Sequence, residues 1–330
     1  MPGLGHEAYL QIGREATYGT AVAATRRFNI VNADMRGERG KVRSDAITDT
    51  VNRKDIFNGP QIGRLSLSLE ADYEGQLHLW DAAMGTATYG SNGGTSSGSG
   101  TYTWTFIQRM LANSLSCQLV TNIPSTKCDR MLGGKTQSLK LSGSAGMESK
   151  PLKLDLELVG TKVETNQSPT GALSANSALP IMFHHIDTAN FKAGTADSAG
   201  ADRLRAFEFS IKNNLNESRY YGADTIDEPL RDSFCETQLK FTIEFTSRTA
   251  IDEYLTASAT TGAPVIKFAA PTGTKSLQIS MPKGVIVTPI GRPVDRYGVL
   301  TQEFTCEAIH DTSSGTGVTV TVINSESTIS

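Results

Sequence analysis

The sequence predicts a mainly β protein: two tandem antiparallel β-barrel or sandwich domains, each with one short flanking α-helix. Three observations predict this. Apolar and polar residues alternate in short runs along the whole chain, helical spacing occurs in only two places, and one strand-plus-helix pattern returns at a fixed distance. The chain has 330 residues, enough for two cores, and its 38% apolar and 20% charged content is that of a folded protein.

Alternation marks a strand with one buried face, because successive side chains point to opposite sides of a pleat. It occurs at Phe28 to Ile30, Leu65 to Leu69 and Leu139 to Leu141, and most regularly at Leu152, Leu154, Leu156 and Leu158. In the second half it occurs at Phe207 to Ile211, Leu239 to Phe245, Leu277 to Ile279 and Phe304 to Ala308. After Leu69 the spacing changes to threes and fours at Tyr73, Leu77, Trp80 and Met84, which suits a short helix ending near Gly85. After Phe245 the same change, at Ala250, Ile251, Tyr254 and Leu255, predicts a second helix.

Aligned at an offset of 174 positions, Leu65, Leu67, Leu69, Leu77 and Trp80 fall on Leu239, Phe241, Ile243, Ile251 and Tyr254. Outside this segment, Phe28 and Ile30 align with Phe207 and Phe209, and Leu152 and Leu156 with Leu300 and Phe304. The reading is an internal duplication, with domains at 1–165 and 166–330. A Gly/Ser-rich stretch at 85–103 reads as an exposed loop or hairpin tip, and 161–180 as a linker.

In each half a long polar arm follows the first strand. Residues 35–60 carry six basic side chains (Arg36, Arg39, Lys41, Arg43, Arg53, Lys54) and four acidic ones. Residues 212–233 carry three basic and five acidic, among them Glu217, Asp224, Asp227 and Glu228. Connections longer than a hairpin loop tend to be functional, so these ten residues are the candidate contacts between subunits or rings. The first arm is expected to meet acidic surface on the second half of an adjacent copy. Reversal of Arg39, Lys41 and Arg43 to Glu is then expected to impair polymerisation.

Several chemistries are disfavoured. A net charge of −3 supplies no positive field for tight nucleic-acid binding. The four cysteines, Cys117, Cys128, Cys235 and Cys306, lack metal-ligand spacing and read as free thiols. "GGKT" at 133–136 lacks the first glycine of a phosphate loop and precedes a strand. His184 and His185 point to opposite faces if they lie in a strand, and so do not share an ion with Asp187. No nucleophile, acid or base set is recognisable, so neither an enzyme nor a cofactor is expected. The opening residues show no basic region followed by an apolar run, and no stretch is apolar enough to span a membrane, which reads as a cytoplasmic, soluble product.

The opening "YLQIGREATYGTAV", the run "LRAFEFSIKNNLNES" and the closing "GVLTQEFTCEAIHDTSSGTGVTVTVINSES" together resemble the tail tube proteins of long-tailed bacteriophages. The resemblance implies a tail-tube-type β-barrel or sandwich with a flanking helix. It also implies subunits that join edge to edge into rings, which stack into a hollow tube passing DNA and the tape measure protein. A chain holding two copies of such a domain would form a trimer with pseudo-sixfold symmetry, the alternative being a hexamer. The tail terminator is a further implied partner, and the implied location is the virion tail, assembled in the host cytoplasm. Other readings are a terminator or baseplate hub of the same fold, or a secreted β-sandwich binding module.

Overall fold

The computed structural model describes residues 8–43, 56–89, 101–111, 113–122, 126–146, 150–171, 173, 178–190, 204–217, 224–244, 263–287, 300–327 and 329. In the first half the strands are β1 (Tyr9–Glu15), β2 (Arg26–Phe28), β3 (Asn32–Arg43), β4 (Ile56–Glu70), β5 (Gly85–Tyr89), β6 (Tyr102–Gln108), β7 (Ser114–Asn122), β8 (Thr126–Ser144), β9 (Lys153–Gly160) and β10 (Lys162–Gln167). The second half supplies β11 (Ile186–Asn190), β12 (Leu204–Lys212), β13 (Leu215–Asn216), β14 (Leu230–Arg231), β15 (Glu236–Glu244), β16 (Val265–Ala269), β17 (Ser276–Ser280), β18 (Gly284–Ile286), β19 (Thr301–Ala308) and β20 (Thr319–Asn324). Helix α1 (Leu77–Met84) is the α-helix among the described residues. The second helix expected from Ala250 to Leu255 lies outside them.

β8 is the spine. Its first part pairs with β7 and β10, and its second part with β9 and β12. It changes direction at Gly133, whose φ of 68° is left-handed and whose missing Cβ would sit 2.8 Å from the Tyr18 ring. Beyond that point eight strands run in the order β3, β4, β9, β8, β12, β15, β19, β18. All neighbours are antiparallel.

The alternation in the sequence has one result across this sheet. Leu69, Leu154, Leu141, Phe209, Leu239, Cys306 and Ile286 are successive cross-strand neighbours, forming one apolar row over seven strands. All seven are buried. A fully buried Leu or Phe contributes about 1.5–3 kcal/mol, so rows of this kind dominate the stability of the sheet. A second sheet, in the order β11, β16, β17, β20, β6, β5, turns Ile266, Phe268, Ile279, Val320 and Phe106 to the same core. Phe207 and Phe268, with ring centroids 5.2 Å apart, join the two layers.

Neither sheet breaks at the 165/166 boundary, since β8 pairs with β12 and β6 with β20. The stretch read as a linker holds β10, and the one read as a Gly/Ser loop begins with β5 and ends in β6, which pair as a hairpin. Both are too polar to be recognised as strands by alternation alone.

The two halves share a pairing pattern. β3, β4 and β9 are neighbours with Met35 opposite Leu65 opposite Leu158; β12, β15 and β19 are neighbours with Phe209 opposite Leu239 opposite Cys306. Leu65 and Leu239 are matched here at the offset of 174 that the sequence suggests. The partners of Leu67 and Leu65 on β3, however, are Ala33 and Met35, not Phe28 and Ile30. Phe28 ends β2, and Ala33 gives β3 too little apolar character to stand out.

Helix α1 buries all eight residues, with Trp80 6.4 Å from Phe209. It ends at Gly85, whose φ of 107° is left-handed and whose N–H donates to the Asp81 carbonyl. Before the helix, burial and then the charge of Glu70 push the Asp72 carboxyl up to about 7. The folded state thus holds this proton more tightly than the unfolded chain. The resulting stability is fully present below about pH 4 and is lost as pH rises through 7. Asp72→Asn removes that loss, so the variant should gain on the order of 1–2 kcal/mol over the parent at pH 8 and nothing at pH 4. Thermal unfolding at both pH values measures the difference.

Candidate assembly interface

The described parts of the arm at 35–60, residues 35–43 and 56–60, pair as two antiparallel strands. β3 and β4 stay paired from Asn32 and Ser68 out to Arg43 and Ile56, past Gly63, where the pairing of β4 with β9 ends. Polar residues on both faces are what a two-stranded projection requires, and they hid it from a pattern search.

The acidic arm lies against these two strands in the same chain. The Gln61 N–H donates to the Asp224 carbonyl at 2.7 Å, and Ile226 N–H donates to the Gln61 carbonyl at 3.3 Å. Ile226 packs with Ile62 and Val159 in a small separate cluster. Arg64 holds Glu217 at 2.7 Å and Glu38 at 3.2 Å, while Arg39 lies 3.9 Å from Asp224 and donates to the Gly59 carbonyl. The acidic partner that the sequence placed on an adjacent copy is therefore met, for Arg39, within one chain. Arg36 pairs with Asp34, and Lys41 is exposed. The side chain of Arg43, and Arg53 and Lys54 entirely, lie outside the described residues.

Asp227 and Glu228 anchor the acidic arm to the spine. Tyr18 donates to the Asp227 carbonyl at 3.3 Å, and Glu228 pairs with Lys135. Lys135, the lysine of "GGKT", is 1% exposed and also donates to the Leu111 carbonyl at 2.7 Å. Beside it the buried Glu15 accepts four hydrogen bonds. Gly19 N–H and Ser114 Oγ donate to Oε2, and Ser116 Oγ and Gly133 N–H to Oε1, all between 2.7 and 2.9 Å. Nothing in the sequence singled out Glu15 or Lys135 as anchors, because their partners are distant in the chain.

The outer face of the eight-stranded sheet is polar. Its rows run Ser68, Asp155, Lys140, Ser210, Gln238, Glu307 and Ser142, Glu208, Lys240, Thr305. Lys140 and Glu208 lie 2.7 Å apart, Lys240 and Glu303 2.7 Å, and Lys153 and Asp155 3.0 Å. Exposed pairs of this kind contribute little stability. Their effect is to leave these cations already compensated on a face that also carries Glu157 and Glu307.

His184 and His185 sit in a 3-10 turn, not a strand. His185 is buried, its Nδ1 3.2 Å from the Tyr73 hydroxyl, and burial followed by the neighbouring His184 holds its pKa below the usual value. Asp187 pairs with Lys267 at 2.8 Å. Among the described residues no group of three His, Cys, Asp or Glu side chains is placed to hold a metal ion, and no helix is long and apolar enough to cross a membrane. The four cysteines are free thiols.

Residues 5–321 match a family model described as phage tail tube protein. A comparison with curated proteins gives no match.

Proposed function

Because the chain belongs to the phage tail tube protein family, we propose that it is a structural protein of the virion whose copies close into rings and stack into the hollow tube that DNA crosses during ejection. The observation that carries this reading beyond the family is the eight-stranded sheet, apolar on one face and lined with compensated charge on the other. The polar face lines the lumen. A duplex sliding past needs a wall without unpaired cations, and Lys140, Lys240 and Lys153 each already hold a carboxylate. The chain's net charge of −3 acts in the same direction.

The shared pairing pattern of β3, β4, β9 and β12, β15, β19 supports an internal duplication, so one chain fills two places in the ring. Three chains then make a ring with pseudo-sixfold symmetry. The tape measure protein occupies the lumen during assembly in the host cytoplasm, and a terminator closes the finished tube. The first arm projects from the sheet and reaches the next ring through its outer charges.

Negative-stain microscopy of the purified protein tests this reading. Hollow tubes of stacked rings with three chains each are expected; six chains per ring refute the trimer, and dispersed monomers at every concentration refute the tube. Lys41→Glu with Arg43→Glu spares the Arg39–Asp224 contact. It should leave rings intact while slowing their stacking and changing its salt dependence, as charge at a contact rim governs association rate more than affinity. Tubes that elongate normally would count against an arm contact between rings.

A further inference from the structure

The two arms leave the sheet on equivalent stems and then part. In the first half β3 and β4 run on through a bulge, with Gly40 against Gly59 and Pro60, to the pair Arg43 and Ile56. In the second half β13 and β14 hold that place, since the offset of 174 carries Val42 to Asn216 and Ile56 to Leu230. Here the break is larger. Asn213 and Asn214 stand against the whole run from Asp232 to Cys235, and the stem becomes a separate two-stranded sheet.

Side chains at the break hold it in that form. Asn213 is fully buried, and its NH2 group donates to the Thr136 and Ala83 carbonyls at 2.9 and 3.1 Å. Its oxygen accepts from Arg231 and from the Cys235 thiol, so both ends of the break are tied to one amide. Asn214, with a left-handed φ of 47°, donates from its side chain to the Phe234 carbonyl at 2.8 Å. The turned arm then crosses the end of the sheet. Glu228 meets Lys135 on β8, Ile226 packs with Val159 on β9 and Ile62 on β4, Thr225 bridges Gln61, and Asp224 reaches Arg39 on β3. Glu217, on the other strand of the stem, pairs with Arg64.

We infer that the second arm is a buttress: it fixes the direction of the β3–β4 strand pair, so that each chain carries one projecting arm and one that supports it. A two-stranded ribbon is marginal in water, and beyond Gly63 β4 has lost β9 as its second neighbour. At that point the second arm supplies a backbone partner for Gln61, an apolar cover for Ile62 and acidic partners for Arg39 and Arg64. Swinging it outward forfeits all three and leaves Lys135 in the interior without its carboxylate. Duplication gives two equivalent arms, and the turn at Asn213 and Asn214 makes one the support of the other.

This inference rests on the tube reading, and its test separates the two. Gln61→Cys with Thr225→Cys ties the second arm to β4, because bridged strands lie about 4.8 Å apart, within disulfide range. The oxidised variant should form tubes at the rate and length of the reduced one. Ile226→Ser with Glu217→Ala frees the arm from β4 and leaves Asn213, Lys135 and Glu228 in place. Its rings should form as before but stack at least about tenfold more slowly, with the Gln61 amide exchanging at least about tenfold faster. Adding the two cysteines to that variant should restore stacking on oxidation. A tether that does not form, tubes lost on oxidation and regained with reductant, or a freed variant that stacks normally or loses its rings would overturn the buttress and leave the tube standing. In a map of the tube one bridging arm per chain is expected, and two per chain overturn the inference whatever the number of chains in a ring. Unmodified protein that forms no tube overturns both readings.

Discussion

Glu228→Gln should lower the stability of the folded chain by about 3 kcal/mol, whereas Lys135→Met should change it by less than about 1 kcal/mol. The asymmetry comes from where the two charges sit. Lys135 is 1% exposed on the spine strand, whereas the Glu228 side chain is 44% exposed at the surface end of the pair. Taking the charge from Glu228 leaves an ammonium in the interior with the Leu111 carbonyl and, 5.9 Å away, the face of Tyr18. Glu15 gives Lys135 no hydrogen bond, since its oxygens hold four other donors. Removing Lys135 instead deletes the buried charge itself. Met fills nearly the same volume and Glu228 turns to water, so only the Leu111 carbonyl loses a donor. Urea unfolding of both variants, with equal m-values, measures the two costs. The reverse order would mean that water reaches Lys135. Faster proteolysis within 212–233 should accompany Glu228→Gln, since that pair helps hold the acidic arm down.

What could be read in advance follows the range of the interactions. Leu65 to Leu69 and Leu154 to Leu158 lie in strands with one buried face, and the structure pairs them in a leucine ladder. Such alternation is local and therefore visible. Offsets of 174 from β4 to β15 and 148 from β9 to β19 were equally visible, because large apolar residues stand at these positions in both halves. The match failed for β3, where Ala33 and Met35 stand in the places of Phe207 and Phe209. The arms were recognisable as long and polar, but not as paired strands, because a strand pair projecting from a sheet has no apolar face to announce it. That the acidic arm packs on the basic one of its own chain, through Gln61, Asp224 and Ile226, depends on residues more than 160 positions apart. Charge complementarity was legible; the contact of the two arms inside one chain was not.

Glu15 presents the sharpest case of a role without a sequence signal, and Glu15→Gln should cost about 2–4 kcal/mol although it changes shape hardly at all. Each carboxylate oxygen receives one backbone N–H and one serine hydroxyl: Gly19 and Ser114 on Oε2, Gly133 and Ser116 on Oε1. A glutamine amide offers one acceptor oxygen and one NH2 donor. A serine can rotate its hydroxyl to accept, but a backbone N–H can only donate. Whichever way the amide is turned, its NH2 group therefore faces either Gly19 or Gly133, and that N–H loses its partner. Both glycines have left-handed backbones, with φ of 71° and 68°, so their N–H groups are aimed by turns that cannot easily reorient. The Gly133 turn is also where the spine strand passes from its β7 and β10 partners to β9 and β12. Loss should thus appear first as faster amide exchange around Gly133 and only then as a lower melting temperature. Glu15→Ala, which removes all four hydrogen bonds, should be worse than Glu15→Gln; equal effects would show that the serine hydroxyls, whose bonds Gln can keep, contribute nothing.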